Sequence, residues 1–175
     1  SPYQAVSLFR TLAGRQAYIG MLERLASLYL QLKKDKELVT LYAQMIRRRG
    51  HDPKVVTYYL ESLRTYHRMK NQAGMKRMLR GLVQKMKFFQ RRASRNEAFK
   101  SASADVQKHL RNLAKYSHAQ AQQRDVVFYG QADLFYSAYL KLFAEANDAY
   151  SMSFWHGEVL YKIKKFKRAV KAYQH

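Results

Sequence analysis

This chain contains no cysteine, so the side chains that could carry catalytic or metal chemistry are its six histidines and twelve carboxylates. No two histidines stand four residues apart, the spacing at which one helix face presents two imidazoles to a metal ion. The histidines are His51, His67, His109, His118, His156 and His175. The acids are scattered and form no evident pair for general acid and base catalysis. We therefore predict no bound metal ion, no other cofactor and no catalytic residues.

The sequence signatures of the common enzyme classes are also missing. The chain has no glycine-rich phosphate-binding loop, no nucleophile-elbow pentapeptide and no His-Glu-x-x-His zinc motif. Without cysteine it cannot form disulfides or cysteine-ligated zinc and iron–sulfur sites. These absences predict a protein that is not an enzyme and has no small-molecule substrate.

The charge of the chain is its most unusual property. Thirty-three Lys and Arg residues stand against 12 acids, which gives a formal net charge of +21 over 175 residues. A field of this strength attracts nucleic acids, anionic envelope or membrane surfaces, and acidic proteins. The alternative is a solvated basic coat on an otherwise ordinary scaffold, since Lys and Arg are common on exposed helices.

One basic stretch is dense and regular enough to form a binding surface. Within residues 76–95, cations recur along one side of a predicted helix and flank an apolar stripe that includes Met75, Leu79 and Leu82. We name these cations the basic ridge; they are Lys76, Arg80, Lys87, Arg91 and the adjacent Arg92. Such a ridge can follow an anionic polymer, because phosphate contacts give affinity without sequence choice. A solvated outer face is the alternative here too.

The elements that carry these residues are predicted to be helices throughout. Gly and Pro number only 7 and 2, and apolar residues recur at steps of three and four, the period of a buried helical face. The predicted helices cover residues 18–32, 38–49, 53–69, 75–93, 96–123, 126–146, 148–163 and 166 onward. This pattern predicts an all-α protein of about eight or nine helices. No stretch reaches 18 consecutive apolar residues, so we predict no transmembrane segment in this chain.

The sequence repeats itself at a spacing of 37 residues, which is the length of two antiparallel helices with their turns. The matching pairs are Tyr29 with Tyr66, Leu38 with Met75, Tyr42 with Leu79, Ala132 with Ala169 and Tyr136 with Tyr173. Between Met75 and Ala132 the spacing is 57 residues instead. We therefore expect an irregular, elongated hairpin at about residues 88–123.

In this pattern the chain resembles the tetratricopeptide repeat (TPR) family, whose consensus places large apolar residues, a small residue and Tyr in the first helix of each hairpin. The residues at repeat-packing positions are Leu25, Ala26, Tyr29, Tyr42, Gly157, Ala169 and Tyr173. Departures include Ser62, Ser153 and His156 at normally apolar positions. The resemblance implies a right-handed α-solenoid of antiparallel helix hairpins, with residues 1–175 as one domain. Because the chain starts without methionine and ends inside a helical pattern, we expect a fragment of a longer solenoid.

The resemblance also implies a binding face, because solenoids of this type bind partners on the concave surface lined by the first helix of each hairpin. That face would carry Glu61, Arg64, Arg68, Phe154, Trp155, Glu158 and Tyr161. Family members that clamp the carboxylate terminus of chaperones use Lys and Asn there, whereas this chain has Glu23, Ser27 and Glu61. Two acids would repel a carboxylate, which disfavours that partner. Trp155 is either an anchor for a partner or a packing residue against the adjoining hairpin.

A narrower resemblance concerns the stretch from Gln131 to Tyr161, which looks like the divergent repeats of Gram-negative envelope and motility-associated proteins. It implies the bacterial periplasm or cell envelope, with the cytoplasm as the alternative. The function we expect first is a non-catalytic protein–protein interaction scaffold within a larger assembly, which binds a partner through the concave face, the basic ridge or both. The alternative is an RNA- or DNA-binding helical repeat protein whose ridge contacts phosphates.

Overall fold

A computed structural model describes residues 4, 7, 8, 15–92 and 95–174 of the chain, and among them it contains helices and turns but no β-strand. The helices of this described part are α1 Arg15–Gln31, α2 Asp35–Arg48, α3 Val55–Arg68, α4 Gln72–Arg92, α5 Glu97–Gln123, α6 Phe128–Leu142, α7 Ala149–Lys162 and α8 Phe166–Tyr173. The prediction of an all-α protein is confirmed. None of these eight helices combines the length and the apolar character that crossing a lipid bilayer requires.

The contacts within the chain divide it into two compact units, Ser1–Phe99 and Lys100–His175. The first unit holds α1 to α4, and the second holds α6 to α8 with most of α5. The boundary falls near the start of α5, inside the region predicted to be irregular, and residues 97–123 form one helix of 27 residues. The single solenoid domain stays a prediction.

In the first unit consecutive helices pack side by side, and their apolar faces meet in one core. The buried members of this core are Tyr18, Leu22, Ala26, Leu38, Leu41, Tyr42, Met45 and Tyr58. Helices α2 and α3 run antiparallel, because the ring of Tyr42 stacks on that of Tyr58 while Arg68, at the end of α3, reaches Asp35 at the start of α2. The predicted packing residues Ala26 and Tyr42 are buried, and Leu25 and Tyr29 pack against the same core.

Three hairpin turns share one backbone geometry, each with a lysine in the left-handed conformation. The φ angles of Lys33, Lys70 and Lys164 are 54°, 53° and 60°. In each turn the N–H of the following residue donates to the carbonyl five residues before it. This bond satisfies a carbonyl at the helix C-terminus that has no partner within the helix. Because Lys33 and Lys70 are 37 residues apart, the spacing found in the sequence corresponds to a repeated turn in the structure.

In two of these hairpins, tyrosine rings of one helix lie over glycines of the other helix. The pairs are Tyr59 with Gly81 and Tyr66 with Gly74 between α3 and α4, and Tyr173 with Gly157 between α7 and α8. A Cβ atom added to Gly74 would overlap the Tyr66 ring, and one added to Gly157 would lie 2.6 Å from Cε1 of Tyr173. These glycines therefore allow the close helix approach that the resemblance implied for Gly157.

The second unit has a core of large side chains. Among its fully buried residues are Leu110, Phe135, Tyr136, Tyr139 and Met152. Helix α6 ends at Leu142, earlier than the predicted end at residue 146. Beyond this end, the hydroxyl of Tyr139 donates to the carboxylate of Asp148 at 2.5 Å, and Arg111 of α5 pairs with the same carboxylate at 2.6 Å.

Replacement of Gly74 by Ala should lower the free energy of unfolding by about 1–3 kcal/mol, the usual effect of overpacking a close interface. Urea denaturation followed by circular dichroism measures it. The matched control is Gly20→Ala in α1, where an added Cβ meets nothing within 4 Å. Alanine there should raise stability by up to about 1 kcal/mol, because it has the higher helix propensity. Equal effects of the two substitutions would contradict the close approach at Gly74.

Replacement of Lys70 by Gly should stabilise the protein. The left-handed conformation costs a non-glycine residue about 1–2 kcal/mol, and the greater freedom of glycine in the unfolded chain offsets part of the gain, so we expect about 0.5–1 kcal/mol. Lys76→Gly, in the interior of α4, should instead lower stability by about 1 kcal/mol. A loss at position 70 as large as that at position 76 would show that the turn does not need a left-handed residue.

Candidate partner-binding surfaces

The predicted basic ridge lies on the exposed side of α4, while the opposite side of this helix is buried. The buried stripe consists of Met75, Leu79, Leu82, Met86 and Phe89, together with Gly74. All five ridge residues are exposed, and the 21 residues of α4 include no acid. Arg91 and Arg92 stand in the last turn, where the negative end of the helix dipole favours cations. The stripe thus fixes the helix, and the ridge faces solvent.

The charge of the ridge is not compensated within the described part of the first unit. Lys76, Arg80, Lys87 and Arg91 form no ion pair with a described acid. The ion-paired acids of this unit face other cations: Glu23 faces Lys54, Asp35 faces Arg68, Asp52 faces Arg49 and Glu61 faces Arg64. By sequence, residues 1–99 carry 21 Lys and Arg against 6 acids, which is +15, whereas residues 100–175 carry 12 against 6, which is +6. The positive charge is therefore concentrated in the unit that holds the ridge.

Aromatic side chains accompany the end of the ridge. The guanidinium of Arg92 lies over the ring of Phe88 at 4.5 Å from its centroid, and the ammonium of Lys85 lies 5.6 Å from the same ring. Lys85 also donates to the carbonyl of Gly50 at 2.6 Å. Arg92 is thus oriented by a cation–π contact while it remains exposed.

The predicted concave-face residues of the first unit are already paired with each other or with neighbouring helices. Glu61 and Arg64 form an ion pair at 2.5 Å within α3. Arg68 pairs with Asp35 of α2 at 2.7 Å and donates to the hydroxyl of Thr65 at 3.2 Å. A partner at this position would have to compete with these contacts, whereas Lys76, Arg80, Lys87 and Arg91 of the basic ridge form no ion pair with a described acid.

The predicted concave-face residues of the second unit differ in exposure. Phe154 and Tyr161 are exposed, whereas Trp155 and Glu158 are partly buried. The ammonium of Lys115 on α5 lies 4.5 Å from the centroid of the Trp155 ring, so this ring already has a cation–π partner. The residues of the predicted concave face thus belong to both units.

A buried carboxylate that sequence reasoning missed connects three helices of the second unit. Asp133 of α6 is only 7% exposed. Nε2 of His156 on α7 lies 2.9 Å from its Oδ1, Lys165 donates to Oδ2 at 2.8 Å, and Arg168 of α8 donates to Oδ1 at 3.0 Å. The hydroxyl of Ser137 joins the cluster, within hydrogen-bond distance of Asp133, His156 and Arg168.

The electrostatics of this cluster keep the Asp133 carboxyl in its charged form. Burial alone would raise the pKa of the Asp133 carboxyl, but hydrogen bonds from His156, Lys165 and Arg168 outweigh burial and hold the pKa well below its usual range. The carboxylate is therefore charged at neutral pH and fully engaged. Within the described residues no group of three or more His, Cys, Asp or Glu side chains could hold a metal ion.

The polar residues at normally apolar repeat positions are explained in part by this packing. His156 forms a hydrogen bond with Asp133 and stacks on Tyr136 with 5.9 Å between ring centroids. The hydroxyl of Ser153 donates to the carbonyl of Ala172 on α8 at 2.7 Å. Ser62 is also buried, and the structure does not explain why a polar residue stands there.

Comparison with known proteins adds no family to this description: no protein-family model matches the chain, and no curated protein matches it significantly.

Replacement of Asp133 by Asn should lower the free energy of unfolding at pH 7 by about 1–3 kcal/mol. This is less than the 3–5 kcal/mol typical of a fully buried pair, because Lys165 and Arg168 are half exposed and can be solvated. Asp105→Asn is the matched control, since Asp105 is exposed on α5. It should change stability little.

The effect of Asp133→Asn on the free energy of unfolding should also depend on pH. The folded pKa of Asp133 lies below the unfolded value of about 3.9, so its contribution is complete above about pH 4 and is lost as the pH falls towards the folded pKa. The stability difference between the wild type and Asp133→Asn should therefore shrink between about pH 4 and pH 2. A difference that is constant across this range, in urea titrations at each pH, would contradict the assignment.

Proposed function

We propose that this chain is a non-catalytic scaffold of tetratricopeptide-like helical hairpins, which stack as a right-handed solenoid and hold an acidic protein partner against the basic ridge. The observation that carries the proposal is the set of exposed cations on α4, of which Lys76, Arg80, Lys87 and Arg91 form no ion pair with a described acid. Because the other side of α4 is buried, the helix fixes the backbone positions from which these side chains extend. Charged surfaces of this kind steer association and select partners by sign.

The left-handed lysine turns support the repeat part of the proposal. The same turn closes the α1–α2, α3–α4 and α7–α8 hairpins, and the tyrosine-over-glycine contact occurs in two of them. Repeated hairpins of this kind bury their core against neighbours and leave side chains free for binding. The ridge is the stronger candidate surface, because Glu61, Arg64 and Arg68 are engaged within the first unit.

Binding of RNA or DNA is the second candidate, and the absence of any acid on α4 favours it. From Lys76 to Arg91 the ridge spans about 22 Å at 1.5 Å per residue, a length over which several phosphates can be contacted. The protein candidate is preferred because α2 and α3 present acids beside their cations. A polyphosphate is negative along its whole length, whereas a protein that is acidic opposite the ridge can place neutral or basic residues opposite these acids.

Charge reversal of the ridge tests both candidates. The variant Lys76→Glu, Arg80→Glu, Lys87→Glu, Arg91→Glu should lose binding to a fluorescent polyglutamate peptide at physiological salt, measured by anisotropy. The matched control reverses four exposed cations outside α4 in the same unit, namely Arg24, Lys34, Lys36 and Arg47. It makes the same change in net charge and should keep most of the affinity. Equal losses in the two variants would mean that net charge alone, and not the ridge, binds the probe.

The same proteins titrated with duplex DNA and single-stranded RNA separate the two functions. If nucleic acid is the ligand, the logarithm of the binding constant should fall with the logarithm of salt concentration. For four phosphate contacts the slope should be about −3.6 with duplex DNA and about −2.8 with single-stranded RNA. The ridge variant should flatten this slope. Nucleic-acid binding that exceeds polyglutamate binding by about a hundredfold at physiological salt, about 2.7 kcal/mol, would replace the protein scaffold with the nucleic-acid function.

A further inference from the structure

The seven cations of α4 fall into two groups. Three of them contact other groups of the first unit: Arg77 donates to a tyrosine hydroxyl at 2.9 Å, Lys85 donates to a backbone carbonyl at 2.6 Å, and the guanidinium of Arg92 lies over a phenylalanine ring. The other four are exposed and form no ion pair with a described acid. These four unpaired cations are Lys76, Arg80, Lys87 and Arg91.

The four unpaired cations lie on one line along α4. Each residue of an α-helix advances the chain by about 1.5 Å and turns it by about 100°. The positions 4, 11 and 15 residues after Lys76 therefore lie within an arc of about 60°, and they are about 6, 16 and 22 Å farther along the axis. The three engaged cations lie outside this arc. The exposed side of α4 thus presents its available charge as a narrow row.

The row has a neutral middle. Val83 and Gln84 are the residues nearest to it between Arg80 and Lys87, and neither carries a charge. The cations therefore form two pairs, each with a spacing of four residues, and seven residues separate one pair from the other. The order four, seven, four is the same in both directions, so a partner can match it in either direction.

This spacing fits one face of a second helix better than it fits an extended chain. A helix that lies along α4 places its residues i, i+4, i+11 and i+15 on one face at the same axial distances. An extended chain advances about 3.3 Å per residue, so the same distances correspond to about 2, 5 and 7 residues. Because successive side chains of a strand point to opposite faces, the second pair would lie on the wrong face. Lysine and arginine side chains can swing to other positions, but holding them there costs side-chain entropy.

The given sequence does not supply a helix of this kind. Its 12 acids include no two that stand four residues apart, whereas the pattern requires two such pairs. Neither a helix within residues 1–175 nor a second copy of these residues can therefore place four acids along the row. An acidic helix of another protein can, and its charge is complementary to a helix that contains no acid.

We propose that the basic ridge binds a helix of a partner protein that carries Asp or Glu at positions i, i+4, i+11 and i+15. The inference rests on the proposed function, because it names the form of the acidic partner that the ridge holds. The two can fail separately, since a ridge that binds acids in any arrangement keeps the function and loses the spacing.

The test compares two helical peptides of about 24 residues that share an alanine-rich sequence and carry four Glu each, with equal helicity verified by circular dichroism. The matched peptide has Glu at i, i+4, i+11 and i+15, and the spread peptide has Glu at i, i+5, i+10 and i+15. The peptides therefore differ only in the two inner Glu. The wild type should bind the matched peptide about fivefold more tightly in fluorescence anisotropy at low ionic strength, the effect expected of two additional exposed ion pairs.

Two double variants with the same loss of charge locate the effect. Arg80→Gln with Lys87→Gln removes the inner cations and should reduce the preference for the matched peptide to less than about twofold. The matched control, Lys76→Gln with Arg91→Gln, removes the outer cations, which face the two Glu that both peptides share. It should weaken the binding of both peptides and keep the preference. All four side chains are exposed, so both variants should fold, which circular dichroism checks.

Each other outcome has a definite meaning. Equal binding of the two peptides by the wild type, or the same preference in both double variants, overturns the proposal. If neither helical peptide binds while polyglutamate does, the ridge holds an acidic segment that is not helical, so the proposed function stands and the spacing falls. If no acidic peptide binds while duplex DNA or single-stranded RNA does, the protein-scaffold function itself falls.

Discussion

The hairpin turn with a left-handed lysine is the constraint on which the other features of the structure depend. It reverses the chain within three residues, and its backbone hydrogen bond fixes where one helix ends and the next begins. Once the ends are fixed, the antiparallel register follows, and Tyr66 meets Gly74 across the hairpin. The same register turns the apolar stripe of α4 inward and therefore turns its cations outward. A backbone conformation thus decides which side chains remain available to a partner.

The distribution of the few acids has an equally large effect. Residues 1–99 contain 6 acids and 21 cations. Among the described residues, Glu23, Asp35, Asp52 and Glu61 form ion pairs within or between α1, α2, α3 and the turns that join them. Exposed pairs of this type contribute little stability each. Their consequence is instead electrostatic, because they neutralise the surface around α3 and leave α4 charged. A uniformly basic protein acquires in this way one helix that differs from its surroundings.

Much of the fold was predictable because helix periodicity and turn residues are local signals. Helix α5 was predicted from residue 96 to 123 and spans Glu97–Gln123, with the amide of Phe99 bonded to the side chain of Asn96 as an N-terminal cap. The end of α6 was predicted at residue 146 and lies at Leu142. The contact of Asp148 with Arg111 near this end joins residues that the chain brings together only on folding. The cluster around Asp133 was missed for the same reason. Its members stand 23, 32 and 35 residues from the carboxylate, and nothing local indicates that they meet.

The ionic cluster also explains how α8 can expose its aromatic residues and still be held in place. Only Ala169 of this eight-residue helix is buried, so apolar burial alone gives it little attachment. Lys165, Arg168 and the Ser153 contact to Ala172 supply directed bonds instead. These bonds hold the helix in place without requiring that its apolar side chains be buried. Because Arg168 of α8 and Lys165 just before it face Asp133, Phe166, Val170 and Tyr173 can be exposed on another side of the helix.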